Sequence, residues 1–346
     1  MIIREFDSIP FEIRLKRPFI NSNYEISKRQ GLIVKITDEL GNKGYGEIAP
    51  LPGSSEESFE SIVPIIKELK ESMIGSELNS DFFQNLKNYP SAEFGLSQAL
   101  RSIFLLRNGL NPEWKFNSII SVNGIIGMMS KSEALNKVEK LVENGFKTIK
   151  IKVGHEKIED DIELVKSIAE NFSSDIKYRL DANGKWDIDK TKFAVKHLEN
   201  INVEYLEQPV KEFDELIKLS SNSKIPIAAD ESIRTANDAK TMLAESNIQY
   251  FVLKPSIMGS ITESIELINL IETENRRVII TSAFESSIGR SALVFLSSLV
   301  KNNLAHGLAA SSYFSNDIAE DVYPIVNGKI NFDKKMYPPK FNFLKS

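Results

Sequence analysis

From about residue 117 the chain repeats one alternation: a short Val/Ile-rich run, then a longer stretch with apolar residues at helical spacing. The runs read SIISVN (118–123), TIKIKV (148–153), KYRLDA (177–182), VEYLEQ (203–208), IPIAAD (225–230), YFVLKP (250–255), RVIITS (277–282) and LAHGLAA (304–310), with the last carrying the weakest strand signal. Between them lie amphipathic stretches such as KSEALNKVEKLVENG, DDIELVKSIAENF, DKTKFAVKHLEN and ANDAKTMLAES, the first closed by Gly145 where a helix would end. Strand–helix repeats of this length predict an α/β fold, and eight of them predict a (β/α)-barrel, TIM-like, over residues 117–310.

The first 50 residues follow a different period. IREFDSIPFEIRL and GLIVKITD alternate as strands do, and GNKGYGEIA reads as a turn into a third strand. Pro-rich APLPGSSEES follows, and Ser54 or Ser55 is expected to cap a helix through ESFESIVPIIKELKESM. A second helix covers about 92–108, so residues 1–116 are expected to form an α+β unit of their own. Residues 311–346 exceed what the barrel needs. Within them VYPIVNGKINF reads as a hairpin turning at Asn327–Gly328, and the segment is expected to return to the N-terminal unit.

Composition removes several classes of function. Lys and Arg number 43 against 48 Asp and Glu, a net charge of −5, which argues against nucleic acid as a principal partner. Cysteine is absent, which excludes disulfides and thiolate metal sites. The stretch MIIREFDSIPFEIRLKRPF carries charge every few residues and does not read as a signal peptide. No uncharged run approaches the roughly 18 residues of a membrane helix, so no membrane partner is expected and the protein is expected to be cytoplasmic. Gly-rich phosphate loops are missing, and nothing in the sequence speaks to oligomeric state.

In barrels of this kind chemistry sits at the C-terminal ends of strands. Here those ends carry Lys152, Asp181, Glu207, Asp230 and Lys254, one per repeat, in the order base, acid, acid, acid, base. Each alone is unremarkable: a K-x-K is usually a solvated strand face, and an Asp after a strand is usually a turn former. Their shared register is not explained that way. Three carboxylates at one barrel mouth repel and raise one another's pKa, and a divalent cation removes that conflict. All-oxygen ligation favours Mg²⁺, with Mn²⁺ able to substitute, over Zn²⁺. Such an ion, holding a substrate carboxylate, would stabilise the enediolate formed when a lysine removes the α-proton.

The motifs KIKVG (150–154), LDANGKW (180–186), EQP (207–209), ADES (229–232), LKPS (253–256) and TSAFESSIG (281–289) resemble the enolase superfamily, in its muconate-lactonizing subgroup. The resemblance covers nearly the whole chain. It implies an enolase-type barrel with an N-terminal capping domain, completed by the C-terminal segment, whose loops near 21–24 and 51–54 cover a small-molecule carboxylate substrate. GEIAPLPGSSEES, SVNGII, SAFESSIG and HGLAASSYFSND are similar to o-succinylbenzoate synthases of menaquinone biosynthesis. That family is a hydro-lyase acting on 2-succinyl-6-hydroxy-2,4-cyclohexadiene-1-carboxylate. Dipeptide epimerases and N-acylamino acid racemases are the alternative. The epimerases typically carry an Asp-x-Asp pair after the eighth strand, where this chain reads Leu308-Ala309-Ala310-Ser311-Ser312.

The resemblance implies Asp181, Glu207 and Asp230 as metal ligands and Lys152 as the base. Lys150, two residues earlier on the same strand face, is expected to tune it. Lys254 is expected across the mouth, as an electrostatic partner in a synthase or as the second acid/base in a racemase. Arg179 shares a strand face with Asp181 and is expected near the lysines or a ligand. Asn183 and Glu231 each follow a metal ligand and are expected to support it. Ser282, Ser286 and Ser287 flank the start of the helix after the seventh strand, where free N–H groups are expected to hold a substrate carboxylate. Glu285 in the same turn reads as structural, and His155, His197, His306 and Trp186 as packing or surface residues.

Overall fold

The computed structural model describes residues 1–20, 25–79 and 81–344. The expected loop at Asn21–Tyr24 lies outside them. Three antiparallel strands, β1 (Ile3–Ile20), β2 (Glu25–Asp38) and β3 (Lys43–Ile48), open the chain. Helices α1 (Phe59–Met73), α2 (Asp81–Gln84) and α3 (Pro90–Asn108) follow. Gly44 and Gly46 explain how closely α3 approaches the sheet: a Cβ on either would lie 1.9 or 1.8 Å from the carbonyl oxygen of Ala99 or Gly95. Phe6, Val34, Ile36, Ile48, Ile62 and Leu96 fill the core between sheet and helices. The first helix starts later than Ser54 or Ser55. Ser58 caps it, in a reciprocal box with Ser61.

The second part alternates as the sequence requires. Its elements are β4 (Ile119–Ser121), β5 (Gly124–Ile126), α4 (Lys131–Glu143), β6 (Thr148–Lys152), α5 (Ile158–Asn171), β7 (Lys177–Asp181), α6 (Ile188–Leu198), β8 (Val203–Glu207), α7 (Phe213–Asn222) and β9 (Ile227–Ala229). They continue with α8 (Ala236–Glu245), β10 (Tyr250–Leu253), α9 (Pro255–Met258), α10 (Ile261–Thr273), β11 (Arg277–Ile280), α11 (Ser287–Leu299) and β12 (Lys329–Asn331). Strands β5 to β11 form one parallel sheet in chain order. Tyr205, Ala228, Val252 and Ile279 pack together from four successive strands of it. The helices cover the outside through the largest apolar cluster. This is a (β/α) barrel with an N-terminal capping domain.

Three expectations change. The 118–123 run does not enter the barrel as one strand; β4 pairs antiparallel with β12, and β5 takes the barrel position beside β6. The 304–310 run forms no strand, because LAHGLAA has no β-branched or aromatic residue. Parallel bridges from His306 to Val122 and from Gly307 to Thr281 connect the two sheet edges instead. The turn at Asn327 and Gly328 has both residues at positive φ, but its second arm, β12, pairs with β4 in a two-stranded sheet rather than with the N-terminal unit. Other parts of the C-terminal segment do reach that unit: Phe314 bridges Leu15, and Phe341 and Phe343 pack on Tyr45.

Candidate active site

Register places the charged residues in layers. Lys152 pairs with Asp181 and Asp181 with Glu207 across adjacent strands, while Lys150 pairs with Arg179 and Arg179 with Tyr205 one pleat below. Asp230 follows the end of β9, and Lys254 follows the end of β10. The period of two that sends alternate residues to one face thus brings both lysines of TIKIKV inward.

Buried Asp181, Glu207 and Asp230 each offer an oxygen within 4.8 Å of the others. Lys152 Nζ donates to Asp181 Oδ2 at 2.5 Å and to Asn183 Oδ1 at 2.9 Å. Lys150 Nζ lies 2.7 Å from Asp181 Oδ2 and 2.6 Å from Glu207 Oε1, and Lys254 Nζ 2.6 Å from Asp230 Oδ2. Asn183 also donates to Glu231 Oε1 at 2.7 Å. Six of these side chains therefore share one network, and the Lys254–Asp230 pair lies beside it.

The electrostatics divide the triad. Burial and then the Asp181 charge push Glu207 well above the ordinary carboxylate value. Burial also opposes ionisation of Asp181, but Lys150 and Lys152 outweigh it and hold that group low. Burial likewise disfavours charge on Lys150, yet Asp181 and Glu207 hold its ammonium protonated. Glu207 Oε2 is buried and accepts no hydrogen bond from the described residues. A cluster of three carboxylates with an unsatisfied buried oxygen fits a hard divalent cation.

Lys150, Lys152, Asn183, Asp230, Glu231 and Lys254 line a cavity of about 660 Å³ that also touches Gly53, Ser54, Lys185, Lys211 and Arg234. Its lining also includes an apolar group, Phe19, Ile125, Phe284 and Ala310, that packs together. Among the expected cap loops, the one at 51–54 reaches this cavity.

The four residues expected at a ligand, Arg179, Ser282, Ser286 and Ser287, have these partners within the protein. Arg179 is fully buried, bonds Glu204 at 2.7 Å and the Ala305 carbonyl at 2.6 Å, and lies 4.8 Å over the Tyr205 ring. It plugs the barrel one layer below the carboxylate cluster. The helix start after β11 attracts an anion, as its free N–H groups should. That anion is Glu47 of β3, whose carboxylate accepts from the Ser286 N–H and hydroxyl and from the Gly289 N–H. Ser287 bonds Asp317 through its N–H at 3.0 Å. Ser282 reaches the cavity, but its hydroxyl donates to Glu285 Oε2 at 2.5 Å. Glu285 also accepts from Ser256 and from the Ala283 N–H.

The histidines stand apart from the cluster. His155 bonds Asp161, as does Trp186; His197 is exposed beside Phe193. The N–H of Ile280 donates to Nδ1 of buried His306, and burial pushes that imidazole down to about 3. Sequence reasoning gave no role to Gln208, Arg29, Glu47 or Phe284. Gln208, at φ 38°, accepts from the N–H groups of Asp230 and Ser232 and so ties the ends of β8 and β9 together. Its signal was its place directly after Glu207. Glu47 and Arg29 lie far away in sequence and carried no local signal.

Comparison with known proteins agrees with this geometry. Residues 133–336 match the model described as "Enolase C-terminal domain-like", and residues 3–103 match "MenC, N-terminal domain". The chain is 28% identical to an L-Ala-D/L-Glu epimerase of Francisella tularensis subsp. novicida, covering 90% of each. It is 27% identical to the o-succinylbenzoate synthase of Bacillus subtilis, covering 93% of this chain and 90% of that one. The solved L-Ala-D/L-Glu epimerase of Bacillus subtilis has the same fold, with a TM-score of 0.90 at 23% identity, over 96% of this chain and 97% of that one. A barrel match over more than half of the residues, joined to this cap, makes the chain a member of the enolase superfamily.

Proposed function

We propose that the protein is an o-succinylbenzoate synthase, a Mg²⁺-dependent hydro-lyase that forms o-succinylbenzoate from 2-succinyl-6-hydroxy-2,4-cyclohexadiene-1-carboxylate. The observation that carries this reading is the wall after β11. Ala310 faces the cavity, and Leu308 to Ser312 offer no carboxylate to a substrate ammonium group. The MenC-type N-terminal match and the synthase relatives support the same substrate class.

Asp181, Glu207 and Asp230 would hold Mg²⁺, which when bound supplies Lewis-acid stabilisation of charge developing on the substrate carboxylate. Lys152 Nζ takes the proton from the carbon bearing that carboxylate. The same ammonium then protonates the departing hydroxyl on that face. One C–H bond and one C–O bond break, the ring gains a double bond, and water leaves. Asn183 and Asp181 orient Lys152. Lys150 remains charged beside Asp181 and Glu207. Lys254, approaching Asp230 from the other flank, stabilises the developing enolate charge.

The epimerase relative supports a second reading, 1,1-proton transfer on a dipeptide or N-acyl amino acid, with Lys254 as the second acid/base. One experiment separates them. The Mg²⁺-loaded protein is given each substrate in D₂O. Loss of the cyclohexadiene absorbance with o-succinylbenzoate formation supports the synthase. Deuterium entering the α-carbon of an otherwise unchanged dipeptide, with no dehydration, supports the epimerase.

A further inference from the structure

Phe284 stands at φ 64°, the left-handed region that a bulky aromatic residue adopts only when its surroundings impose it. The surroundings can be named. The Phe284 N–H donates to Ser282 Oγ at 3.0 Å, and its carbonyl accepts from Arg29 Nε at 3.2 Å. Arg29 is a buried guanidinium from cap strand β2. Its other nitrogens donate to the carbonyls of Pro50 at 2.7 Å and Ala49 at 2.5 Å, at the base of the loop that brings Gly53 and Ser54 to the cavity. On the far side of Phe284, Glu285 gathers Ser256, Ser282 and the Ala283 N–H, and Glu47 holds Ser286. A buried cation and a buried anion of the cap thus bracket one strained barrel residue.

The strain has a visible product. It turns the Phe284 ring into the cavity wall, 4.8 Å from the Phe19 ring at 61° and 6.0 Å from Tyr313 at 69°. Phe19 and Tyr313 close the triangle at 5.3 Å. The same cavity is also lined by Lys150, Lys152 and Lys254. Its lining therefore offers aromatic rings to a π-face and ammonium groups to a carboxylate.

We propose that Phe284 is the specificity-determining residue of this cavity, selecting a flat unsaturated ring that bears a carboxylate. Arg29 is the positioning residue that carries the cap's hold on it. The inference rests on the synthase reading for its ring-shaped substrate, and its test is independent of turnover.

Binding to the Mg²⁺-loaded protein is measured by calorimetry for two probes of equal charge, o-succinylbenzoate and its ring-saturated analogue, 2-succinylcyclohexanecarboxylate. The wild type is expected to prefer the aromatic acid by about tenfold, the size of one or two ring contacts. Phe284→Gly is expected to bring the two affinities within a factor of about two; it relieves the positive φ but removes a buried ring, so its melting temperature is expected to fall and binding is compared at a temperature where both proteins are folded. Phe284→Leu keeps the apolar bulk and is expected to lose the preference too. Arg29→Lys, with the ring intact but its carbonyl released, is expected to fall between. No preference in the wild type, or a preference retained in Phe284→Gly, overturns the ring-selective wall. A wild-type preference in Arg29→Lys overturns the positioning role. If the preference holds but the cyclohexadiene substrate is not turned over, the wall stands and the synthase reading fails; turnover without preference does the reverse.

Discussion

The carboxylate of Glu47, on a cap strand, accepts hydrogen bonds from both the N–H and the hydroxyl of Ser286, at the start of barrel helix α11. Burial outweighs these donors, and with the nearby Glu285 charge it pushes Glu47 up to about 7. A raised carboxyl pKa means that the folded state holds the proton more tightly than the unfolded chain. The contribution is full below the unfolded value near 4.5 and is lost as pH rises through about 7. The folded wild type is therefore expected to lose about 3 kcal/mol more than Glu47→Gln over this interval. Chemical denaturation at a series of pH values measures it. Parallel curves for the two proteins contradict the account.

Gly289 leaves room for that contact. A Cβ there would lie 2.7 Å from Glu47 Oε2 and 2.8 Å from Glu285 Cβ. Gly289→Ala is expected to cost about 1–3 kcal/mol through overpacking, and a thermal melt reads it directly.

Arg179 gives a test that separates barrel packing from ligand binding. Its guanidinium bonds Glu204 and the Ala305 carbonyl. Arg179→Met leaves Glu204 without its buried partner and is expected to cost about 3–5 kcal/mol. KM in the surviving folded fraction is expected to stay at the wild-type value. A raised KM with unchanged stability would restore the ligand role that its strand face suggests.

How much was legible in advance follows from distance along the chain. The ladder from Lys152 to Lys254 could be read because each member ends its own strand, so local periodicity alone puts all five at one mouth. The serines at 286 and 287 show the limit. The principle that a helix start binds an anion was sound, yet the occupants are Glu47 and Asp317, and no local pattern announces partners that far off. Arg179 misled for a related reason. Alternation fixes its face but not its layer, and one layer down the same face meets Glu204 and Tyr205 rather than a substrate. The split of the first barrel strand into β4 and β5 likewise depends on β12, some 200 residues later.

Metal binding can be tested apart from catalysis. Mg²⁺ at 100 times its Kd is expected to stabilise the wild type by about 2.7 kcal/mol, because the three carboxylates converge only in the fold. Glu207→Gln is expected to abolish most of that gain. Equal stabilisation of both proteins would place the ion elsewhere.

The central claim is that Lys152 moves the proton in a dehydration. It is tested most directly by turnover of 2-succinyl-6-hydroxy-2,4-cyclohexadiene-1-carboxylate with Mg²⁺, followed by loss of its ultraviolet absorbance, in wild type, Lys152→Ala and His197→Gln. Turnover is expected in the wild type and in His197→Gln, and kcat is expected to fall about 10²–10⁴-fold in Lys152→Ala. No formation of o-succinylbenzoate by the wild type, or undiminished formation by Lys152→Ala, would contradict it.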